Sequence, residues 1–203
     1  MALLDVVDAL LRIQAERYGS GDADGSLTAL LDEGGSAYRV NDDGDGLEAR
    51  IVPPVREAVV GTVKDAAAVS STGSAADHLA SAWQAAYGLH PDPVRAYSEA
   101  IKAVESAAHA VVQANHAKAT LGTMLGEIGN ARSKFVTVLA TPAGKDPIAP
   151  VEGMMRALWE GQTSRHGNQN GTVPESLEAA RAGVHVAAAL VQWFASGAVR
   201  RNP

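Results

Sequence analysis

The sequence of 203 residues contains no cysteine, which excludes disulfide bonds and thiolate metal sites. Aromatic residues make up only 4% of the chain, whereas hydrophobic residues make up 46%. The core must therefore consist mainly of Ala, Val and Leu, and such small side chains favour closely packed helices over a β-sandwich. With a mass of 20.9 kDa, the chain is long enough for one sizeable core and a small additional unit.

No apolar run is long enough to span a membrane. The longest run, residues 184–195, is interrupted by His185 and Gln192. The N-terminal segment carries Asp5 and Asp8 where a signal peptide has basic residues. The absence of cysteine also fits a reducing compartment. We therefore expect a soluble protein of the cytoplasm that makes no attachment to a membrane.

Positive charge is scarce, since the net charge is −6, and this argues against a protein that coats nucleic acid without specificity. The charge is unevenly distributed along the chain. Residues 1–131 contain 9 Lys/Arg and 18 Asp/Glu, a net charge of −9, whereas residues 132–203 contain 8 Lys/Arg and 5 Asp/Glu, a net charge of +3. The C-terminal part is therefore the more compatible with an anionic substrate.

Apolar residues recur at helical spacing along most of the chain. The predicted helices cover residues 3–18, 27–32, 53–68, 75–87, 93–112, 120–129, 150–160 and 175–196. The clearest of them begins at the N-cap Asp92, which Pro93 follows at the first helical position. We expect Glu175 in the first turn of the last helix. This succession of helices predicts an all-α bundle.

Two short strands are predicted near the N-terminus, where AYRV (37–40) and LEARIV (47–52) flank NDDGDG. The acidic turn matches the first positions of a calcium-binding loop, but Val52 occupies the position of the bidentate glutamate. We therefore interpret it as a polar hairpin turn. The predicted organisation is a helix and β-hairpin appendage over residues 1–70, followed by the helical bundle over residues 71–203.

A polar stripe follows one side of the predicted helix 93–112, opposite its apolar seam, and contains Ser98, Lys102, Glu105 and His109. One interpretation is a solvated face with a Lys102–Glu105 pair that contributes about 0.2–0.5 kcal/mol. The other interpretation is a polar border of a cleft.

Arg181 and His185 lie four residues apart on the last predicted helix. They allow the same two interpretations: Arg181 forms a surface pair with Glu178, or both side chains point into a cleft.

The segment GQTSRHGNQNG, residues 161–171, has no apolar side chain and lies between two predicted helices. Arg165 offers a planar, permanently charged group for a phosphate, and His166 titrates near neutral pH. Together they suit metal-independent cleavage of RNA. The His exchanges a proton with the 2′-OH or the leaving oxygen, while the Arg stabilises the charged phosphorane. The pair also fits a structural loop in which Arg165 pairs with an acid and His166 caps the last helix.

The segments PDPVRAYSEAIKAVES, TLGTML, GQTSRHG and ESLEAARAGVHVAAALVQWF occur in this order. Together they resemble a HEPN-type domain, and they are most similar to the bacterial abortive-infection-like branch, in which an HG loop precedes the last helix. AYRVNDDGDGLEARIV and HLASAWQAAYG resemble the N-terminal part of such proteins. The resemblance covers most of the chain. It implies a HEPN-like helical bundle that forms a homodimer and cleaves RNA without a metal or an organic cofactor.

The resemblance also implies roles for individual residues. His166 corresponds to the catalytic histidine of the HG loop, Arg165 to the phosphate-facing arginine, and Glu105 in KAVES to a supporting polar residue. The residues that we expect to contact the RNA substrate are Asn168, Gln169 and Lys102. One departure from the family motif is that Arg165 adjoins His166 directly, whereas four to six residues separate the two in the family.

Two functions follow as expectations. The first is a cytoplasmic RNA endonuclease for antiphage defence or toxin-type growth arrest, restrained by an antitoxin or sensor protein. The second is a non-catalytic dimeric module of a defence system that binds a ligand or a partner chain, because many HEPN domains lack activity. A nucleotide-binding regulator is a weaker interpretation, since no glycine-rich phosphate loop follows a predicted strand.

Overall fold

The computed structural model describes residues 3–19, 25–164 and 172–202, and this part of the chain is mostly helical. Its α-helices are α1 (Leu3–Tyr18), α2 (Gly25–Glu33), α3 (Pro53–Ala68), α4 (Ala75–Tyr87), α5 (Pro93–Val112), α6 (Leu121–Asn130), α7 (Ala149–Gly161) and α8 (Leu177–Ala195). Its short strands are β1 (Tyr38–Val40), β2 (Leu47–Ala49), β3 (Phe135–Thr137) and β4 (Val199–Arg201). The predicted helical class is confirmed. None of these helices combines the length and apolar composition that a membrane span requires.

The chain divides into two compact units, Met1–Val55 with Tyr87–Pro91 and Arg56–Ala86 with Asp92–Pro203. The division falls at Val55, whereas the sequence-based boundary lies at residue 70. The difference arises because most of α3 belongs to the second unit. One contact there is the hydrogen bond that Gln192 Nε2 donates to the carboxylate of Asp65 at 3.1 Å.

In the first unit, β1 and β2 form the predicted antiparallel hairpin, with Tyr38 opposite Ala49 and Val40 opposite Leu47. β2 ends at Ala49 and is shorter than predicted, because Pro53 opens α3 soon afterwards. The core of this unit is formed by Leu11, Leu31, Val40 and Leu47. The buried carboxylate of Asp8 in α1 accepts the N–H of Leu47 at 2.7 Å, and this bond joins the helix to the hairpin.

The acidic turn of this hairpin is held by bonds between its own side chains and backbone. Asn41 Oδ1 accepts the N–H of Asp45 at 3.0 Å, and Asn41 Nδ2 donates to the Asp45 carboxylate at 2.6 Å. Gly44 has a φ of 69°, a conformation that favours glycine. These contacts agree with a polar hairpin turn.

In the second unit, α5 packs along α8 through small side chains. Asp92 caps α5 as predicted and accepts the N–H of Arg95 at 3.0 Å. The ring of Tyr97 is enclosed between two glycines. A Cβ on Gly183 would lie 3.0 Å from the ring Cε2, and a Cβ on Gly161 would overlap the Tyr97 hydroxyl. The helices around Tyr97 thus pack closely, because the residues that face its ring are glycines.

A second two-stranded antiparallel sheet, formed by β3 and β4, was not predicted from the sequence. Phe135 pairs with Arg201 and Thr137 with Val199, so the paired strands are more than 60 residues apart. The guanidinium of Arg201 donates to the carbonyls of Val111 and Val112, each at 2.8 Å, at the C-terminal end of α5. A cation at this end of a helix satisfies its last carbonyl groups.

Candidate functional site: a polar cleft on α5

A polar cleft of about 350 Å³ lies beside α5, and we name it the α5 cleft. Its lining residues come from the 3₁₀ turn Ser70–Thr72, from α4, from α5 and from the segment before α6. They are Ser70, Ser71, Gly73, His78, Lys102, Glu105, Ser106, His109 and Ala119. Lys102, Glu105 and His109 of the predicted polar stripe therefore border a cleft. The volume lies within the range of sites for small molecules.

Glu99 links two of the lining side chains. Its Oε2 lies 2.6 Å from Nδ1 of His78, and its Oε1 accepts from Nζ of Lys102 at 2.8 Å. Burial alone raises the pKa of Glu99, but hydrogen bonds from Lys102 and His78 outweigh burial, and the pKa falls below its ordinary value. The predicted ion pair between Lys102 and Glu105 is therefore wrong, because Lys102 pairs with Glu99, one helical turn earlier.

Glu105 connects the cleft to the start of α6. Its Oε1 accepts the backbone N–H of Leu121, the first residue of α6, at 2.6 Å. Burial raises the pKa of Glu105, and the bond from Leu121 together with the charges of Lys102 and His78 opposes burial only in part. The bond to Leu121 gives the Glu105 carboxyl group a structural role at the start of α6 that the sequence did not reveal.

Polar contacts also fix the side of the cleft formed by Ser106 and His109. Ser106 Oγ accepts the N–H of Ser74 at 3.2 Å and lies 3.1 Å from the Ser74 hydroxyl. His109 Nε2 lies 3.1 Å from the carbonyl oxygen of His116. These serine and histidine side chains are thus held in place by neighbouring backbone groups.

His78 and the cleft serines were not singled out from the sequence. His78 belongs to α4, and its approach to Glu99 on α5 depends on how the two helices pack. The sequence contains the break STGS before α4, but it has no local pattern that brings His78 to the polar stripe of α5.

The predicted catalytic centre falls in residues 165–171, outside the part of the chain that the structure describes. The predicted site residues in this segment are Arg165, His166, Asn168 and Gln169. Their roles remain predictions. Of the six predicted site residues, Lys102 and Glu105 are the two that the structure describes, and both line the α5 cleft.

The described ends of this polar segment are joined by side-chain hydrogen bonds, and we name residues 162–164 and 172–175 the loop root. The carboxylate of Glu175 accepts the N–H of Ser164 at 2.8 Å and its hydroxyl at 2.9 Å. The hydroxyl of Thr163 donates to the carbonyl of Val173 at 2.7 Å. None of these four residues lines the α5 cleft.

Glu175 was predicted in the first turn of the last helix, and this prediction is wrong. α8 begins at Leu177 behind the N-cap Ser176, which accepts the N–H of Ala179 at 3.1 Å. Glu175 precedes the cap because its carboxylate binds Ser164 instead of the helix. The side chain is 5% exposed, and within the described residues its Oε2 has no hydrogen-bond partner.

The electrostatics of the loop root differ from those of the cleft. Burial alone raises the pKa of Glu175, but hydrogen bonds from Ser164 and Thr163 outweigh it, and the pKa falls below the ordinary value. The pKa of Tyr97 is raised, first by burial and then by the charge of Glu175. The loop root therefore contains an ionised carboxylate at neutral pH.

Arg181 and His185 do not belong to the α5 cleft. Arg181 Nε donates to the carbonyl of Ala86 at 3.2 Å. The ring of His185 makes an edge contact with Trp83, with 5.9 Å between ring centroids, and burial lowers the pKa of His185. These two residues contribute to the packing between α8 and α4.

No family model, curated protein or solved structure matches this chain. Within residues 3–19, 25–164 and 172–202, no group of three or more His, Asp or Glu residues is arranged to hold a metal ion. Function is therefore inferred from the side chains of the α5 cleft and from the sequence of the polar loop.

Proposed function

We propose that the protein is a metal-independent endoribonuclease that acts in antiphage defence or toxin-type growth arrest. The observation that supports this proposal is the composition of the α5 cleft. It contains Lys102 and Glu105, two residues for which the sequence suggested a role, together with the imidazoles of His78 and His109. Imidazoles transfer protons near neutral pH, and an ammonium group stabilises a phosphate, so these groups suit phosphodiester chemistry.

In the proposed reaction, the 2′-oxygen of RNA attacks the adjacent phosphorus and the 5′-oxygen leaves. His166 takes the proton of the 2′-OH or donates one to the leaving oxygen, and Arg165 stabilises the charge on the phosphorane. The products are a 2′,3′-cyclic phosphate and a 5′-hydroxyl. In this proposal Glu105 orients the reacting groups, and the substrate contacts are Asn168, Gln169 and Lys102.

The loop root gives further support. Hydrogen bonds of 2.7–2.9 Å join the two ends of the polar segment. They link Glu175 to Ser164 and Thr163 to Val173. The described residues on the two sides of the segment that contains Arg165 and His166 are therefore joined to each other before α8 begins. We also propose that the protein forms a homodimer in the cytoplasm. An antitoxin or a sensor protein restrains its activity.

The test is an assay of RNA cleavage by purified protein in the presence of EDTA, with His166→Ala alongside. We expect the wild type to leave 2′,3′-cyclic phosphate ends and the variant to lose activity by about 10²–10⁴-fold. His90→Ala is a matched control, because His90 is 68% exposed and lies in the first unit. Equal cleavage by wild type and His166→Ala would contradict the role of His166, and no cleavage by folded wild type would contradict the proposal.

The second candidate is a non-catalytic dimeric module that binds a ligand or a partner chain in a defence system. It is favoured by the contacts of Glu105 with the N–H of Leu121 and of Lys102 with Glu99, because these give both side chains a structural role. For such a module we expect His166→Ala to change binding and to leave cell growth unaffected. A toxic nuclease instead loses its toxicity in this variant.

A further inference from the structure

The α5 cleft contains more hydrogen-bond donors than the proposed cleavage uses. Lys102 contributes an ammonium group, and His78 and His109 contribute two imidazoles. Three hydroxyl groups also line the cleft, from Ser70, Ser71 and Ser106. Ammonium, imidazolium and hydroxyl groups are all donors that bind phosphate oxygens, so the lining matches an anion better than an apolar ligand.

The hydrogen bonds of the two imidazoles determine which ring nitrogen is left for a ligand. An ionised carboxylate and a backbone carbonyl are acceptors only. Nδ1 of His78, which faces Glu99, and Nε2 of His109, which faces the carbonyl of His116, therefore carry the hydrogens. Nε2 of His78 and Nδ1 of His109 are the nitrogens that remain, and each becomes a donor when the ring is protonated.

The donors are held in position before any ligand binds. The carboxylate of Glu99 holds the Lys102 ammonium and the His78 ring at 2.8 and 2.6 Å. On the wall formed by the 3₁₀ turn, the buried hydroxyl of Thr72 donates to the carbonyls of Ala66 and Val69 at 2.7 and 2.6 Å. A site with fixed donors loses little conformational entropy on binding.

The two carboxylates near the cleft are both engaged by donors of the protein itself. Glu99 offsets the charge of Lys102, and Glu105 directs one oxygen to the N–H of Leu121 at the start of α6. The imidazoles of His78 and His109 also line the cleft, and a proton on either ring adds positive charge that attracts a phosphate.

We propose that the α5 cleft binds the phosphate group of a nucleotide, with Lys102 and the protonated rings of His78 and His109 as its donors. The cleft volume of about 350 Å³ suits a ligand larger than phosphate alone. This inference goes beyond RNA cleavage, because a nucleotide in this cleft is equally the ligand of a non-catalytic module.

The test follows the imidazole resonances of the full chain by NMR while inorganic phosphate or adenosine 3′-monophosphate is added. We expect the resonances of His78 and His109 to shift on binding, because the bound phosphate lies beside both rings. His90, which pairs with Asp5 in the first unit, serves as the internal control and is not expected to shift. The nucleotide is expected to bind more tightly than inorganic phosphate.

Two variants test the assignment of the donors. Lys102→Met is expected to weaken nucleotide binding about tenfold, the loss typical of one charge-assisted hydrogen bond. Lys145→Met is the matched control, since Lys145 is exposed and does not line the cleft. Circular dichroism verifies that each variant is folded.

The proposal is overturned if neither ligand shifts His78 and His109, if inorganic phosphate binds as tightly as the nucleotide, or if the two lysine variants bind equally. A wild type that binds the nucleotide but does not cleave RNA contradicts the proposed function and supports this inference. A wild type that cleaves RNA through His166 but does not bind the nucleotide in the cleft supports the proposed function and contradicts this inference.

Discussion

Glu105 in the α5 cleft and Glu175 at the loop root are the same chemical group, yet their pKa values shift in opposite directions. Burial raises the pKa at both positions. Glu105 accepts one backbone N–H, from Leu121, and its pKa stays above the ordinary value. Glu175 accepts both the N–H and the hydroxyl of Ser164, and its pKa lies below the ordinary value.

The comparison teaches that hydrogen-bond donors can outweigh the effect of burial on the pKa of a carboxyl group, as at Glu175, or oppose it only in part, as at Glu105. The loop root therefore holds a negative charge at neutral pH between the described ends of the polar segment. In the α5 cleft, by contrast, burial favours the protonated form of Glu105. The two sites are thus suited to different tasks, a fixed structural anchor in one and an adjustable binding surface in the other.

The largest loss of stability is expected when the side chain of Glu175 is removed from the loop root. Glu175→Ala leaves the N–H and hydroxyl of Ser164 without their acceptor, and we expect it to lower the free energy of unfolding by about 2–3 kcal/mol. Glu105→Ala removes one bond to a backbone N–H, and about 1 kcal/mol is expected. Urea unfolding of both variants measures the difference. Equal losses would show that the two carboxylates contribute alike.

The contributions of Glu175 and Glu105 to stability are also expected to change with pH in opposite directions. The lowered pKa of Glu175 means that its stabilising contribution is present above the ordinary value of 4.5 and is lost as the pH falls through the folded-state pKa. The raised pKa of Glu105 has the opposite consequence: its contribution is present below 4.5 and is lost as the pH rises through the folded-state pKa.

We therefore expect opposite slopes when the stability of wild type is compared with that of two neutral variants. The advantage of wild type over Glu175→Gln grows as the pH rises from about 3 to 7, and its advantage over Glu105→Gln declines over the same range. Unfolding curves collected across this range provide the measurement. Parallel slopes for the two variants would contradict the opposite pKa shifts.

The smallest expected effect concerns Tyr97. The charge of Glu175 contributes to the raised pKa of this phenol, after burial. Glu175→Gln removes that charge, so the pKa of Tyr97 is expected to fall, while burial still holds it above the ordinary value. Ultraviolet absorbance of the phenolate during an alkaline titration reports the change. Glu105→Gln is the control and is expected to leave the Tyr97 transition where it is in wild type.

Much of the helical fold follows from local sequence signals. The amphipathic spacing of residues 3–18 predicts α1, and Asp92 with Pro93 predicts the start of α5, because a helix and its cap depend on neighbouring residues. The pairing of Phe135 with Arg201 has no such signal, since the two residues are far apart in the sequence and no local pattern marks them as partners. The same reason explains why Glu175 was assigned to the last helix: its partner Ser164 lies on the preceding segment.

Some residues of the candidate site could likewise be predicted from the sequence, and others could not. The helical period of α5 places Lys102, Glu105 and His109 on one stripe, and this is visible in the sequence. The approach of His78 from α4 is not visible, because no short pattern specifies which faces of two helices pack together. Glu99 was missed for a related reason, since its importance arises from its position between His78 and Lys102.

The enclosure of Tyr97 between Gly161 and Gly183 constrains how this protein can vary during evolution. A larger residue at either glycine requires the ring at position 97 to shrink or move, so the three positions are expected to change together. A tyrosine on α5 with glycines at the two matching positions is therefore a combination that we expect related sequences to keep together. It can be sought in distant sequences whose polar loop and acidic hairpin have diverged beyond comparison.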